Sequence, residues 1–307
     1  MELSIIIASF NNKDLLSGCL SSIYNAVEGH DYEVIVVDND SNDKSAEMVQ
    51  KEYPQARLIR NRTNKGFSKA CNQGILLSGG RNILFLNNDT EILGDSLKAM
   101  TEFLDQHNGV GIIGAQMLSL EGKAYRSCFR FPNLLEQLFA RKIFNSKIMD
   151  SCPISLIYPD WNSGKTIEVD WVSGAALMIK KEVIQQIGSF DEEFFFYFED
   201  VDLCFRANQV GFKVCYLPQA KIIHGGQSST RHDSGRFEIE WLKSRLRYFK
   251  KHHSRLVVVF IKFLMATGSI VRIVSLLVAS LFAPGKCKGY KDAVSANSQL
   301  LALALKG

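Results

Sequence analysis

Between Phe190 and Gly211 the chain reads FDEEFFFYFEDVDLCFRANQVG, which sets the carboxylates Asp191, Glu192, Glu193, Glu199, Asp200 and Asp202 among aromatic side chains. Carboxylates are costly to bury unless paired, whereas aromatics favour burial. A helix starting near Glu199 separates these acids by face. Asp200, Leu203, Cys204, Ala207 and Val210 follow i, i+3, i+4, i+7 spacing and form the apolar, inward stripe. Asp202 and Arg206 are four apart on another face and read as a solvated ion pair. Glu199 and Asp200 both suit the first turn, where the helix dipole favours negative charge. Only Asp200 also points with the apolar stripe, as a general base held against aromatic walls would. Glu199 either shares that pocket or only caps the helix.

Small polar and acidic residues recur after three apolar runs. Ser9, Phe10, Asn11 and Asn12 follow LSIIIAS, DNDSND (Asp38–Asp43) closes YEVIVVD, and NNDTE (Asn87–Glu91) follows NILFL. Any one cluster is explained by turns and helix caps. Ligands of open parallel sheets bind beyond the carboxyl ends of the strands. Three clusters at one such edge therefore point to a polar ligand accompanied by a cation. Asp89, a carboxylate flanked by amides, suits a hard divalent ion that also holds phosphate oxygens. His224 ends the run AKIIH before two glycines and reads equally as a metal ligand or a structural histidine. The first strand lacks a G-x-G-x-x-G turn and the chain lacks a G-x-x-x-x-G-K-[ST] phosphate loop, which excludes the common nucleotide fingerprints.

These groups require a scaffold of buried strands. The runs at 3–9, 32–38, 56–60 and 82–86 are rich in β-branched residues and nearly continuous, as in strands covered on both faces. Helical spacing links them: Leu15, Leu16, Cys19, Leu20, Ile23 and Tyr24, then Phe67, Ala70, Cys71 and Leu77. The alternation predicts an α/β fold, a Rossmann-like, mostly parallel central sheet with helices on both faces. A second half begins near Gly109 and includes VGIIGAQM, VDWVSGAALMIKKE and FKVCYLPQAKIIHGG around an irregular stretch from Ser119 to Glu168. The division expected is 1–235 as the main domain, with halves at 1–108 and 109–235, and 236–307 as a C-terminal helical segment.

The 307 residues carry a net charge of +4, too mild to argue for nucleic acid. Seven scattered cysteines without a C-x-x-C pair predict free thiols in a reducing cytoplasm. MELSIIIASF has no basic leader region and reads as a first strand. The C-terminal segment joins a basic helix (Lys243, Arg245, Arg247, Lys250, Lys251, Arg255) to an apolar stretch, 256–285. A spanning helix needs about 20 largely uncharged residues. Lys262 and Arg272 interrupt this one, so 243–285 is expected to lie on an anionic membrane surface or to form a homo-oligomer interface.

Taken in order, SIIIASFNN, VIVVDNDSND, NKGFSKACNQGI, LFLNNDTEI, the VSGAALMIKKEVIQQIGSFDEEFFFYFEDVDLCFRANQVGFKV stretch and IIHGG make residues 3–250 resemble the family 2 inverting glycosyltransferases of the GT-A fold. Within them, the chain resembles the rhamnosyltransferase-like branch of bacterial cell-surface polysaccharide synthesis. The resemblance implies transfer of a sugar from a nucleotide-sugar donor, dTDP-rhamnose in the first instance, to a glycan or lipid-linked acceptor at the inner face of the cell membrane. It implies that 1–108 is the nucleotide-binding half and 109–235 the acceptor and catalytic half, with nucleotide contacts from Ser9, Asn11, Asp38, Asp40, Asn64, Gly66, Asn72 and Asn88. It implies sugar contacts from Ser173, Gly174, Ala175 and Glu199, with Asp200 as the base. Asp89 and His224 would hold Mg²⁺ or Mn²⁺. Asn87 stands where the family often has the first acid of D-x-D, which leaves fewer charged ligands. A UDP-dependent hexosyl or galactofuranosyl transferase is the alternative within the class. A non-catalytic sugar-nucleotide-binding scaffold is the alternative outside it.

Overall fold

The structure is a computed structural model that describes residues 1–26, 31–133, 160–225, 234–282 and 287–305. Gly226 and the 283–285 end of the apolar stretch lie outside the described residues. The chain divides into two compact units, 1–131 with 158–232 and 132–157 with 233–307.

The first unit is built on a mixed sheet with strand order β3-β2-β1-β4-β11-β6-β12-β5. Its first half comprises β1 (Leu3–Ser9), β2 (Tyr32–Asp38), β3 (Arg57–Arg60) and β4 (Asn82–Asn87), all paired in parallel. Ile5, Ile6, Ile7, Val36 and Val37 are fully buried, as continuous apolar runs demand, and each contributes about 1.5–3 kcal/mol. Between them run α1 (Lys13–Ala26), α2 (Ser45–Glu52) and α3 (Phe67–Leu77); α1 buries Leu16, Cys19, Leu20 and Ile23 of its expected stripe, and α3 buries Phe67, Ala70 and Cys71. Leu15 and Leu77, assigned to those stripes from sequence, are instead exposed.

The second half turns the sheet mixed. β5 (Thr90–Leu93), α4 (Ser96–Gln106) and β6 (Val110–Leu118) lead to the short strands β7 (Ala124–Tyr125), β8 (Cys128–Phe129), β9 (Ile167–Val169) and β10 (Trp171–Val172). Then follow β11 (Ala176–Lys180), α5 (Lys181–Ile187), α6 (Glu199–Gln209) and β12 (Lys213–His224). β11 is antiparallel to both β4 and β6, whereas β12 is parallel to β6. The ends of β1, β2, β4 and β12 and the start of β11 therefore share one edge.

In the second unit, α7 (Ser234–His252), α8 (Arg255–Phe282) and α9 (Cys287–Leu305) pack together. Lys262 and Arg272 do not break α8, which runs as one helix, and residues 255–280 are long and apolar enough to cross a membrane. Leu256, Val259, Phe263, Val271 and Leu277 on α8 are exposed.

Candidate active site

The first polar cluster joins the loops after β1 and β2. Asn11, Asn12 and Asp40 adopt left-handed backbone, with φ 57, 63 and 70°, a conformation these residue types tolerate best after glycine. The Asn11 N–H donates to Ser41 Oγ at 2.8 Å, and the Asn42 N–H donates to Asn11 Oδ1 at 2.9 Å. Asp43 accepts the Lys13 N–H at 2.7 Å, fixing the start of α1 to the β2 loop. Asn88 donates to Ser9 Oγ at 3.1 Å, which ties the β4 loop to the same place.

Asp38 is buried, and its Oδ2 accepts the Ser41 N–H while its Oδ1 has no partner. An orphaned buried acceptor costs about 1–3 kcal/mol, so Oδ1 is poised for an outside N–H or O–H donor. Beside it, Asn39 donates to the Gly66 carbonyl and accepts from Asn61, which also donates to Gln73. Asn64 Oδ1 accepts the Gly66 N–H at 2.9 Å, holding Gly66 at φ 85°. Asn72 is spent differently: its amide exchanges hydrogen bonds with both backbone groups of Phe190, at 2.9 and 3.0 Å. It therefore positions the 190s loop and has no donor or acceptor directed at the first cluster.

The second cluster surrounds Asn87–Asp89. The Asn87 N–H donates to the Ala175 carbonyl, and the Gly225 N–H donates to the Asp89 carbonyl. His224 pairs in register with Thr90, so its Nε2 lies 3.2 Å from Asp89 Oδ1 and 3.3 Å from Asn87 Nδ2. His224 Nδ1 lies 2.6 Å from the Tyr125 hydroxyl. Burial, helped by the Asp89 charge, pushes the Tyr125 phenol up to about 12, so it stays protonated at neutral pH. Among the described residues no group of three or more His, Cys, Asp or Glu side chains converges. The protein thus offers one carboxylate and one imidazole, with the Asn87 amide adjacent. That donor set fits a hard divalent ion whose other ligands are substrate oxygens or water.

The third element is the start of α6. Tyr197 and Phe198 stand at φ 70 and 67°, an outlier conformation for bulky residues that marks stored strain. This double turn launches the helix at Glu199. The Gly174 N–H donates to Asp200 Oδ2 at 2.9 Å, and the Val201 N–H donates to Oδ1 at 2.8 Å. Burial pushes the Asp200 carboxyl up, against the pull of those N–H groups. Burial, then the neighbouring Asp200 charge, pushes Glu199 well above the ordinary carboxylate range. Glu199 is 5% exposed and its Oε2 has no partner. It is therefore a buried acid beside Asp200, more than a solvated helix cap.

Asp202 corrects the sequence reading. It is fully buried, not solvated, and accepts from Arg206 Nε at 2.8 Å. The guanidinium also donates to the carbonyls of Ile187, Gly188 and Ser189. α6 is packed on a second side by the turn after α5, which a single-stripe reading does not foresee. Of the aromatics before α6, Phe194 and Phe198 are buried, so only Phe195, Phe196 and Tyr197 can border a ligand. Ser173, whose Oγ accepts the Ala175 N–H, completes the strip between Asp200 and Asn87.

The groups that sequence reasoning missed are Tyr125 and the Asn39–Asn61–Gln73 network. The hairpin carrying Tyr125 turns at Gly122, with φ 76°. That glycine, between polar residues, was the one available signal.

The family model described as "Glycosyl transferase family 2" matches residues 4–161. The chain is 24% identical over 271 residues to the N-acetylglucosaminyl-diphospho-decaprenol L-rhamnosyltransferase of Mycobacterium tuberculosis, covering 82% of this chain and 85% of that protein. It is 27% identical over 198 residues to the dTDP-rhamnosyl transferase RfbF of Shigella flexneri, covering 62% and 59%. In fold it is similar to the mannosyltransferase PcManGT from Pyrobaculum calidifontis in complex with GDP-Man and Mn²⁺, with TM-score 0.58 and 15% identity over 99% of this chain and 86% of that one.

Proposed function

The chain belongs to glycosyl transferase family 2, and from that premise we propose that it moves rhamnose from dTDP-rhamnose, with inversion, to a hydroxyl of a lipid-linked glycan at the inner face of the cell membrane. The observation that carries the reading is the Asp200 carboxylate at the start of α6, oriented by the Gly174 N–H on the strip that leads to Asn87 and Asp89. Its raised proton affinity suits a base that must take a proton from an alcohol.

Asp38, with its unpartnered Oδ1, receives an N–H of the base or a ribose hydroxyl, while Ser9, Asn11, Asp40, Asn64, Gly66 and Asn88 shape the rest of the nucleotide pocket. The acceptor oxygen gives its proton to Asp200 as it attacks the anomeric carbon from the face opposite the diphosphate. The bond from that carbon to the diphosphate oxygen breaks, dTDP leaves, and the configuration inverts. Mg²⁺ or Mn²⁺ held by Asp89 and His224 would supply positive charge for the departing diphosphate. Burial and the Asp200 charge push the Glu199 carboxyl well above the ordinary range, which favours its neutral form beside Asp200. Phe195, Phe196 and Tyr197 border the reacting atoms and limit access of water. The rhamnosyl donor is supported by what the two relatives are named for. The acceptor is supported by the apolar α8 beside the basic residues of α7.

Asp200→Asn tests the reading. It is expected to bind dTDP as the wild type does while transfer falls by about 10²–10⁴, and the anomeric configuration of the wild-type product reports inversion. Transfer by Asp200→Asn at the wild-type rate removes the base assignment. Calorimetry that detects no binding of dTDP or UDP removes the enzyme reading altogether.

A further inference from the structure

No role above uses the Tyr125 hydroxyl. β7 pairs with β6, Met117 opposite Tyr125, and β6 in turn pairs with β12, Met117 opposite Ile222. This register carries Tyr125 to the end of β12, where its hydroxyl meets His224 Nδ1 at 2.6 Å. A neutral imidazole has one N–H and one lone pair, and the partner of one nitrogen decides the role of the other.

Two tautomers fit the same heavy atoms. With the proton on Nε2, that nitrogen donates to Asp89 Oδ1 at 3.2 Å while the phenol donates to Nδ1. With the proton on Nδ1, the phenol oxygen accepts it, and the Nε2 lone pair faces Asn87 and Asp89. A hydroxyl serves both states by rotating its hydrogen; phenylalanine serves neither. We infer that Tyr125 is a positioning residue for His224: by turning its hydrogen away it accepts Nδ1–H when the Nε2 lone pair is given to a divalent cation held together with Asp89. The inference rests on the assignment of Asp89 and His224 as the cation-holding pair.

The test is Mn²⁺ binding by the full chain in saturating dTDP. Outer partners of metal-binding histidines are typically worth 10–100-fold in affinity, so Tyr125→Phe is expected to weaken Mn²⁺ by about that factor. Binding of dTDP in chelator is expected to stay unchanged. If the bond only tied β7 to β12, Tyr125→Phe would lower the melting temperature equally with and without Mn²⁺ and leave its affinity intact, which overturns the inference. A second measurement needs no stable variant: ¹⁵N spectra of the wild-type histidine rings with Mg²⁺ and dTDP. His224, identified by its loss in His224→Gln, is expected to show Nδ1–H, and retention of Nε2–H overturns the inference. Wild-type Mn²⁺ binding that survives both Asp89→Asn and His224→Gln, or is absent altogether, overturns the pair and with it the role of Tyr125.

Discussion

Asp202→Ala separates two acids that stand two residues apart. The Asp202 side chain is 0% exposed and that of Arg206 is 18% exposed. Removing one partner of a buried ion pair typically costs about 3–5 kcal/mol, because it strands the other charge. Arg206 keeps the carbonyls of Ile187, Gly188 and Ser189, which places the loss near the lower end, about 3 kcal/mol. For a domain of this size each kcal/mol shifts Tm by about 2–4 °C, so a drop of about 6–12 °C is expected. Differential scanning calorimetry of the purified variant measures it. The drop should persist in 1 M NaCl, since salt screens buried pairs little at about a 3 Å Debye length. A solvated i,i+4 pair would be worth only about 0.3–0.5 kcal/mol. If Asp202→Ala melts with the wild type, or loses its effect in high salt, the buried-pair argument fails. Asp200→Asn, in contrast, should leave Tm unchanged or raised.

Glu199→Gln is expected to raise Tm at pH 7.5. The folded carboxyl is held well above its ordinary value of 4.5, so its stabilising neutral form is fully present below that pH and is lost as pH rises through the folded value. The gain should shrink toward pH 4.5, and a gain independent of pH would refute the linkage. Gly66→Ala would force a Cβ to 2.6 Å from the Phe195 carbonyl oxygen at φ 85°. It is expected to cost about 1–3 kcal/mol in strain and to raise the donor KM, measured by unfolding and steady-state kinetics. Deletion after Lys251 removes α8 and α9, and the remaining protein should leave the membrane fraction on cell fractionation; retention there would refute α8 as the anchor.

The strand framework was legible because doubly covered strands carry continuous apolar runs. The polar clusters were legible because small polar residues crowd the strand ends where such sheets bind ligands. Helical periodicity set Asp200 alone on the buried face and Asp202 in solvent, yet Glu199 and Asp202 are the buried acids and Asp200 is half-buried, since periodicity presumes one buried face and α6 has two. Tyr125 lies on a strand of two residues, too short for any period to register. The left-handed pair Tyr197–Phe198 was also invisible, because nothing in the identity of two bulky residues signals positive φ. Asn72 was placed in the nucleotide pocket by the resemblance alone. Its partner is a backbone 118 residues further on.

That partnership has a bearing on domain exchange. Asn72 grips Phe190, and the Phe67 N–H donates to the Phe195 carbonyl at 2.8 Å. Gly66 leaves no space between them. The aromatic loop before Asp200 is thus fastened to a helix of the first half, 1–108, which is proposed to supply most of the nucleotide pocket. A chimera that takes residues 1–108 from a relative, to change the nucleotide accepted, would cut through this clasp and present a foreign α3 to the native 190–198 loop. The interchangeable cassette is therefore discontinuous: the loop must travel with the helix that holds it, and a donor-switching graft that omits 190–198 should recover nucleotide binding without recovering turnover.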